Sequence, residues 1–255
     1  AYEKVISEGK HPNLITSCCP SSNTLIEHYY TDAIDQVIPV VSPMIAHGYD
    51  LKIRYGEKTH TVFIGPCLAK KAEAISYTGS IDSVITFHEL EKWFAEEKID
   101  LFELESQPFD TPSTKRGKAY PLGGSLWKKD LNSRINPDYK YIHVDGIEAC
   151  TSFLKSVAAG EISGFCAELN ICPHSCINGP DMPEQAPQLY KRLSKLNDYV
   201  NIVTLESSNP DEIEPTLLSE KQLKHIFVAK NSRKQVANDD FVYEVLIEID
   251  RKSVV

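Results

Sequence analysis

Three times in these 255 residues a short β-like apolar run feeds directly into a loop that carries cysteine. Asn13-Leu14-Ile15-Thr16 runs into Ser17-Cys18-Cys19-Pro20, and Thr61-Val62-Phe63-Ile64 runs into Gly65-Pro66-Cys67. Gly164-Phe165-Cys166-Ala167-Glu168-Leu169 delivers Cys172-Pro173-His174-Ser175-Cys176, which leaves through Asn178-Gly179-Pro180, a turn-forming exit. The first two loops precede helix-like stretches. Strand, loop and helix in that order predict an α/β fold of mainly parallel sheets flanked by helices. If the strands share one mainly parallel sheet, all three cysteine loops lie at carboxyl ends of strands, the edge where open α/β sheets build their sites.

The intervening segments agree with that plan. Leu25, Ile26, Tyr29, Tyr30 and Ile34 recur with helical period after a Ser22 or Asn23 cap, and Val37–Val41 reads as extended. Ser42-Pro43 starts a helix that ends near Gly56, with Met44, Ile45 and Leu51 on one face. Ser83-Val84-Ile85 is a strand, and Thr86-Phe87-His88-Glu89 a capping box for a helix expected to turn Phe87, Leu90, Trp93 and Phe94 inward. Glu103–Gly124, polar and rich in Pro, Ser, Thr and Gly, reads as a long surface loop. Tyr139–Val144 resumes as a strand, and Ile147, Cys150, Leu154 and Val157 make a helix face that stops at Gly160. Gln188–Tyr199 and Ser219–Ala229 read as helical, and Phe241–Ile249 as strand or helix.

Seven cysteines, an odd number, in a chain with no export signal favour metal or redox chemistry over a disulfide framework. A formal charge of −9 argues against nucleic acid and anionic membranes, which call for a basic stripe. No run of 18 apolar residues offers a membrane span, so the chain reads as cytoplasmic. It begins at Ala1, with a strand close behind, and is expected to be a fragment.

Five thiols lie in the three loops: Cys18, Cys19, Cys67, Cys172 and Cys176. A cubane iron-sulfur cluster takes four, which leaves one for another role. Cys150, on an apolar helix face, and Cys166, inside a strand, read as small buried hydrophobes. Lys70 or Lys71, near the start of the helix after Cys67, could hydrogen-bond an anionic cofactor ligand, with Glu73 on the same turn to hold it; the plain alternative is a solvated helix face. His28, His47 and His174 read as surface or packing residues, although His174, between two thiols, leaves a zinc site conceivable.

Taken in order, Thr16-Ser17-Cys18-Cys19-Pro20, Pro66-Cys67-Leu68-Ala69-Lys70-Lys71-Ala72-Glu73 and Glu168-x-x-x-Cys172-x-x-x-Cys176-x-x-Gly179 resemble the three signature motifs of the iron-only (FeFe) hydrogenase catalytic domain. The resemblance implies an H-cluster: a 4Fe-4S cluster ligated by Cys19, Cys67, Cys172 and Cys176, with Cys176 bridging to a diiron subcluster that carries CO and cyanide ligands. It implies further that Cys18 passes a proton to the diiron site and that Lys70 hydrogen-bonds a cyanide. The reaction would be reversible interconversion of protons and H2, with ferredoxin or a ferredoxin-like domain as electron partner and maturation proteins supplying the cofactor.

Several positions depart from that pattern. Ser21-Ser22 stand where the family has Gly-Trp, and Gly65 and Asn170 where it has methionines lining the diiron pocket. Ile38 stands where the relay serine would be, and Asn178-Gly179-Pro180 shortens the usual glycine run. Ligands are kept while pocket and proton path are altered, as in the sensory hydrogenases linked to signalling domains, so slow turnover is expected. Two other readings stay open: a non-catalytic 4Fe-4S protein similar to hydrogenase-like cytosolic cluster-assembly factors, and a zinc-stabilised α/β domain. Residues 1–200 are expected to form the H-cluster domain, its N-terminal part missing, and 201–255 a C-terminal extension that could be helical.

Overall fold

The computed structural model describes residues 1–101, 103–107, 109, 115–125, 135–201 and 217–230. Among the described residues five strands form two parallel sheets rather than one. The larger has the order β1 (Leu14–Ile15), β5 (Phe165–Asn170), β4 (Lys140–Asp145), and the smaller pairs β2 (Val62–Ile64) with β3 (Ser83–Ile85). Register sets Leu14 beside Cys166, Tyr141 beside Cys166 on the other flank, and Phe63 beside Val84. Central strand β5 is buried along most of its length, its polar Glu168 and Asn170 included.

Helices cover the larger sheet. The first, α1 (Tyr2–Glu8), has no counterpart in the sequence-based expectation; it ends on Gly9 at φ 59°, a left-handed cap. After β1 comes α2 (Pro20–Tyr29), with Pro20 at its first turn where a missing N–H costs nothing, followed by a 3-10 segment, Thr31–Gln36. Beyond β4, α7 (Ile147–Ala158) buries Cys150, Leu154 and Val157, the spacing of one helical face. Those side chains, with Ile15, Leu25, Ile26, Val37 and Leu169, form the main core.

The smaller sheet is backed by α3 (Pro43–Tyr55), capped by Ser42 Oγ accepting from Ile45 N, and is followed by α4 (Ala69–Ser76) and α5 (Phe87–Glu96). Its core joins Met44 and Ile45 to Phe63 and Val84. Thr86 and Glu89 form the expected capping box, but Trp93 is half exposed and α5 buries no residue fully, because a two-stranded sheet is too narrow to cover that stripe. Among the described residues the remaining helices are, in chain order, α6 (Lys115–Ala119), α8 (Leu189–Asn201) and α9 (Glu220–Leu223). The expected loop over Glu103–Gly124 therefore contains helix α6, whose Lys118 and Ala119 are buried. Of the helix expected at Ser219–Ala229 only α9 forms; the remainder is a strap held by His225 N to Pro39 O (3.1 Å), Val41 N to Leu223 O (2.9 Å) and Lys230 N to Glu27 O (2.9 Å). Phe241–Ile249 lies outside the described residues.

A charged tie fastens the amino end of the smaller sheet. Asp82, just ahead of β3, accepts from Lys52 Nζ (2.8 Å), Thr61 N (2.8 Å) and Thr61 Oγ1 (2.9 Å), joining α3 to the entry of β2. Lys52, with help from the Thr61 N–H, holds the Asp82 carboxyl well below the usual carboxylate range. A depressed folded-state value means stability present above the unfolded value, about pH 4, and lost as pH falls below it. Replacing Asp82 by Asn should therefore lower the denaturation midpoint at pH 7, with a gap from wild type that shrinks on titration to pH 3. In the main core, Leu154→Ala removes a fully buried side chain and should cost about 3 kcal/mol in urea unfolding.

Candidate metal centre

Each cysteine loop leaves the carboxyl end of a strand: Cys18 and Cys19 follow β1, Cys67 follows β2, and Cys172 and Cys176 follow β5. The sheets are separate, so the loops converge from two of them. What closes the gap is a seam between the second and third loops. Asp181 N donates to Pro66 O at 3.1 Å, and a Cβ on Gly179 would lie 2.7 Å from that oxygen and 2.8 Å from Pro66 Cγ. Only glycine allows that approach.

All seven thiols are free. Burial pushes Cys176 up strongly, and Cys19, Cys18, Cys67 and Cys172 each push it further through like charge. Cys172 is raised to about 12 by burial and then by Cys19 and Cys67. Cys67 is raised first by burial and next by Cys19, while Lys70 acts in the opposite sense. Four thiols on three loops thus share one electrostatic neighbourhood. Among the described residues no three Cys, His, Asp or Glu side chains are close enough for one metal ion. A zinc ion would need its sulfurs within about 4 Å of each other, given Zn–S bonds of about 2.3 Å. An all-sulfur donor set of four is the ligand chemistry of a cubane iron-sulfur cluster.

Cys18 stands apart. It is 4% exposed and raised to about 12 by burial and by the Glu168 carboxylate, with Thr16 Oγ1 3.4 Å from its sulfur. Two tyrosines enclose it: Tyr120, hydrogen-bonded to Cys18, and Tyr2, whose hydroxyl accepts from Ser17 N at 3.1 Å. Both phenols are raised, first by burial and next by Cys18. Neither tyrosine carries a sequence signal, since one lies in α1 and the other in a segment read as surface loop.

One residue of helical rotation separates the two lysines. Lys70 Nζ is buried and bound to Glu73 Oε2 at 2.7 Å, both side chains under 10% exposed, while Lys71 turns away to Glu89 on α5. The solvated-face reading therefore does not hold for Lys70, and Lys71 is a partly buried ion-pair partner of Glu89.

The third loop is held from below. His174 and Ser175 take φ values of 63° and 67°, left-handed backbone that non-glycine residues adopt at a cost. Asp145 accepts from His174 N at 2.5 Å, and Ser175 Oγ lies 2.9 Å from His143 Nε2 and 3.2 Å from Asn170 Oδ1. From the side, Arg192 on α8 donates through Nη2 to Asn178 Oδ1 (2.6 Å) and through Nη1 to Pro187 O (2.7 Å). His143 and Arg192 are supports the sequence does not advertise, because each acts from a different part of the chain.

The profile of the family described as iron only hydrogenase large subunit, C-terminal domain, matches residues 1–180. In a comparison 216 residues long that covers 67% of this chain, it is 32% identical to the NADP-reducing hydrogenase subunit HndD of Solidesulfovibrio fructosivorans. It is 24% identical over 232 residues to iron hydrogenase 1 of Clostridium pasteurianum. It spans 37% and 40% of those two relatives, respectively. Among solved structures, [FeFe]-hydrogenase HydA1 from Chlamydomonas reinhardtii superposes with a TM-score of 0.63 at 20% identity, covering 91% of this chain and 80% of that one. The structure of HydA(deltaEFG), described as revealing stepwise H-cluster assembly, superposes at 0.61 and 21% identity, covering 90% and 79%. With three cysteine loops on two parallel sheets and a profile match over residues 1–180, the chain belongs to the family of C-terminal domains of iron-only hydrogenase large subunits.

Proposed function

We propose that this domain holds an H-cluster and acts on H2 and protons as a slow, sensory hydrogenase. The observation that carries the reading is the shared neighbourhood of Cys19, Cys67, Cys172 and Cys176, delivered by three loops from two sheets. These four thiols would bind the 4Fe-4S part, Cys176 reaching also to the diiron part with its CO and cyanide ligands. When bound, that group supplies the redox chemistry of proton and H2 interconversion. Lys70, desolvated and steadied by Glu73, would donate to a cyanide, where a buried ammonium acts strongly. Cys18 would hold the transferable proton, kept on sulfur by burial and by Glu168.

Two features support slow turnover. Ile38 is fully buried beside Ile6 and Leu14, so the position aligned with the relay serine offers no proton-bearing group. Asn170, where the family has methionine, is engaged with His143 and Ser175. Electrons would come from a ferredoxin or ferredoxin-like domain, the cofactor from maturation proteins, and any signal would leave through attached signalling domains. The proposed domain extends to about residue 200, because α8 packs on the third loop through Arg192. No described helix is long and apolar enough to cross a membrane; a cytoplasmic location remains part of the proposal. Cys18 and the Lys70–Glu73 pair favour this reading over a simple cubane holder of the assembly-factor kind, which has no use for them.

Co-expression with the H-cluster maturation machinery should give infrared bands of metal-bound CO and cyanide and H2 evolution far slower than that of ordinary members. Cubane absorption without those bands would indicate the assembly-factor type, and rapid evolution would overturn the sensory assignment. Loss of the Arg192 clamp should loosen the third loop. Arg192→Met removes two hydrogen bonds from a charged donor, each worth about 1.5–3 kcal/mol. Iron retained per chain after gel filtration should fall severalfold, with Arg192→Lys intermediate.

A further inference from the structure

Strand β5 brings a buried amide to the cysteine loops. Side chains alternate along a strand, so Asn170 shares one face of β5 with Glu168 and Cys166. The Glu168 carboxylate acts on Cys18, so this face looks toward the first cysteine loop. Asn170 ends the strand, two residues before Cys172, and is 5% exposed.

Register shows what flanks it. On one side is β4, where Asp145 pairs with Asn170 and His143 with Glu168, which puts His143 on the same face. On the other side is β1, where Leu14 pairs with Cys166 and Ile15 with Ala167, and where Thr16 N still donates to Ala167 O at 2.9 Å. Continued residue by residue, that register brings Cys18 level with Asn170.

The amide is already oriented between these flanks. Its Oδ1 lies 3.0 Å from His143 Nε2, on the β4 side, and accepts from Ser175 Oγ at 3.2 Å. His143 Nε2 and Ser175 Oγ are themselves 2.9 Å apart. Gly123 closes over the pair so tightly that a Cβ there would lie 2.0 Å from His143 Cε1 and 2.2 Å from Ser175 Oγ. Neither partner has room to turn away. A planar amide whose oxygen faces β4 presents its nitrogen to the opposite side, toward Cys18. Among the described residues nothing accepts from Nδ2, and this atom is not sealed off as Asn23 Oδ1 and His225 Nε2 are.

We propose that Asn170 donates through Nδ2 to a diatomic ligand of the diiron part, with His143 as the positioning residue that fixes the amide. The inference rests on the H-cluster reading above. It adds a second donor to Lys70, and the two come from different loops: Lys70 from α4 after the second, Asn170 from β5 ahead of the third. A methionine has no N–H to give, so the departure at this position supplies a hydrogen bond that a thioether cannot. A donor fixed in advance in a buried site acts more strongly than one in water.

Infrared spectroscopy of the full chain, co-expressed with the maturation machinery and recorded in H2O and D2O, tests this. In wild type one diatomic-ligand band should shift on exchange through Lys70 and another through Asn170; a cyanide band would identify nitrogen as the acceptor for Asn170, and a CO band the carbonyl oxygen. Asn170→Leu should displace the second band and abolish its isotope shift. Asn170→Asp keeps the acceptor for His143 and Ser175 and lacks only the N–H, so it should do the same without disturbing the loop. His143→Phe frees the amide to turn and should split that band in two. Wild type without CO and cyanide bands would remove the H-cluster reading and this inference with it. With the bands present, an unmoved spectrum in both Asn170 variants, or a single wild-type band in His143→Phe, would overturn this inference alone.

Discussion

A thiol taken out of water resists giving up its proton, and this fold gathers five of them in one place. Burial is the first cause of the raised values at Cys18, Cys67, Cys172 and Cys176, and mutual repulsion among thiolates comes next at several of them. Such a group is stable protonated and dry, or deprotonated beside a compensating positive charge such as a bound metal. The rest of the site is consistent with that constraint. The buried ammonium of Lys70 lowers Cys67 and Cys18, and its own charge is balanced by Glu73. At Cys18 burial comes first and the Glu168 carboxylate next, and both favour a retained proton.

Holding these groups together takes stiffness from many directions. Strand ends aim the loops, the glycine seam at Pro66 locks the second loop to the third, and Asp145, Ser175 and Arg192 hold left-handed backbone that would otherwise relax. Two of these contributions, Asp145 at the end of β4 and Arg192 on α8, come from outside the motifs. A family signature is thus the visible part of a larger support, and the support here includes residues beyond 180.

Local pattern made the strands after which the cysteines come, the Ser42 and Thr86 caps, the α7 face and the three motifs legible, because each depends on neighbours a few residues apart. Where the reading missed, distant partners decided. Trp93 has helical spacing for a core, but the sheet beside it has two strands. Ser219–Ala229 has helical composition, yet beyond α9 its backbone bonds go to Pro39 and Glu27. Tyr2 and Tyr120 close over Cys18 from segments with no periodic signal.

By itself, then, the sequence determined the donor atoms and the α/β order in which they are presented, since thiol count, strand period and turn chemistry are local properties. Only the tertiary structure decided that the strands split into two sheets, that Lys70 and not Lys71 points inward, and that Asn23 and His225 are left with buried atoms unpaired. Those outcomes depend on which surfaces meet across long stretches of chain, and no local pattern carries that information.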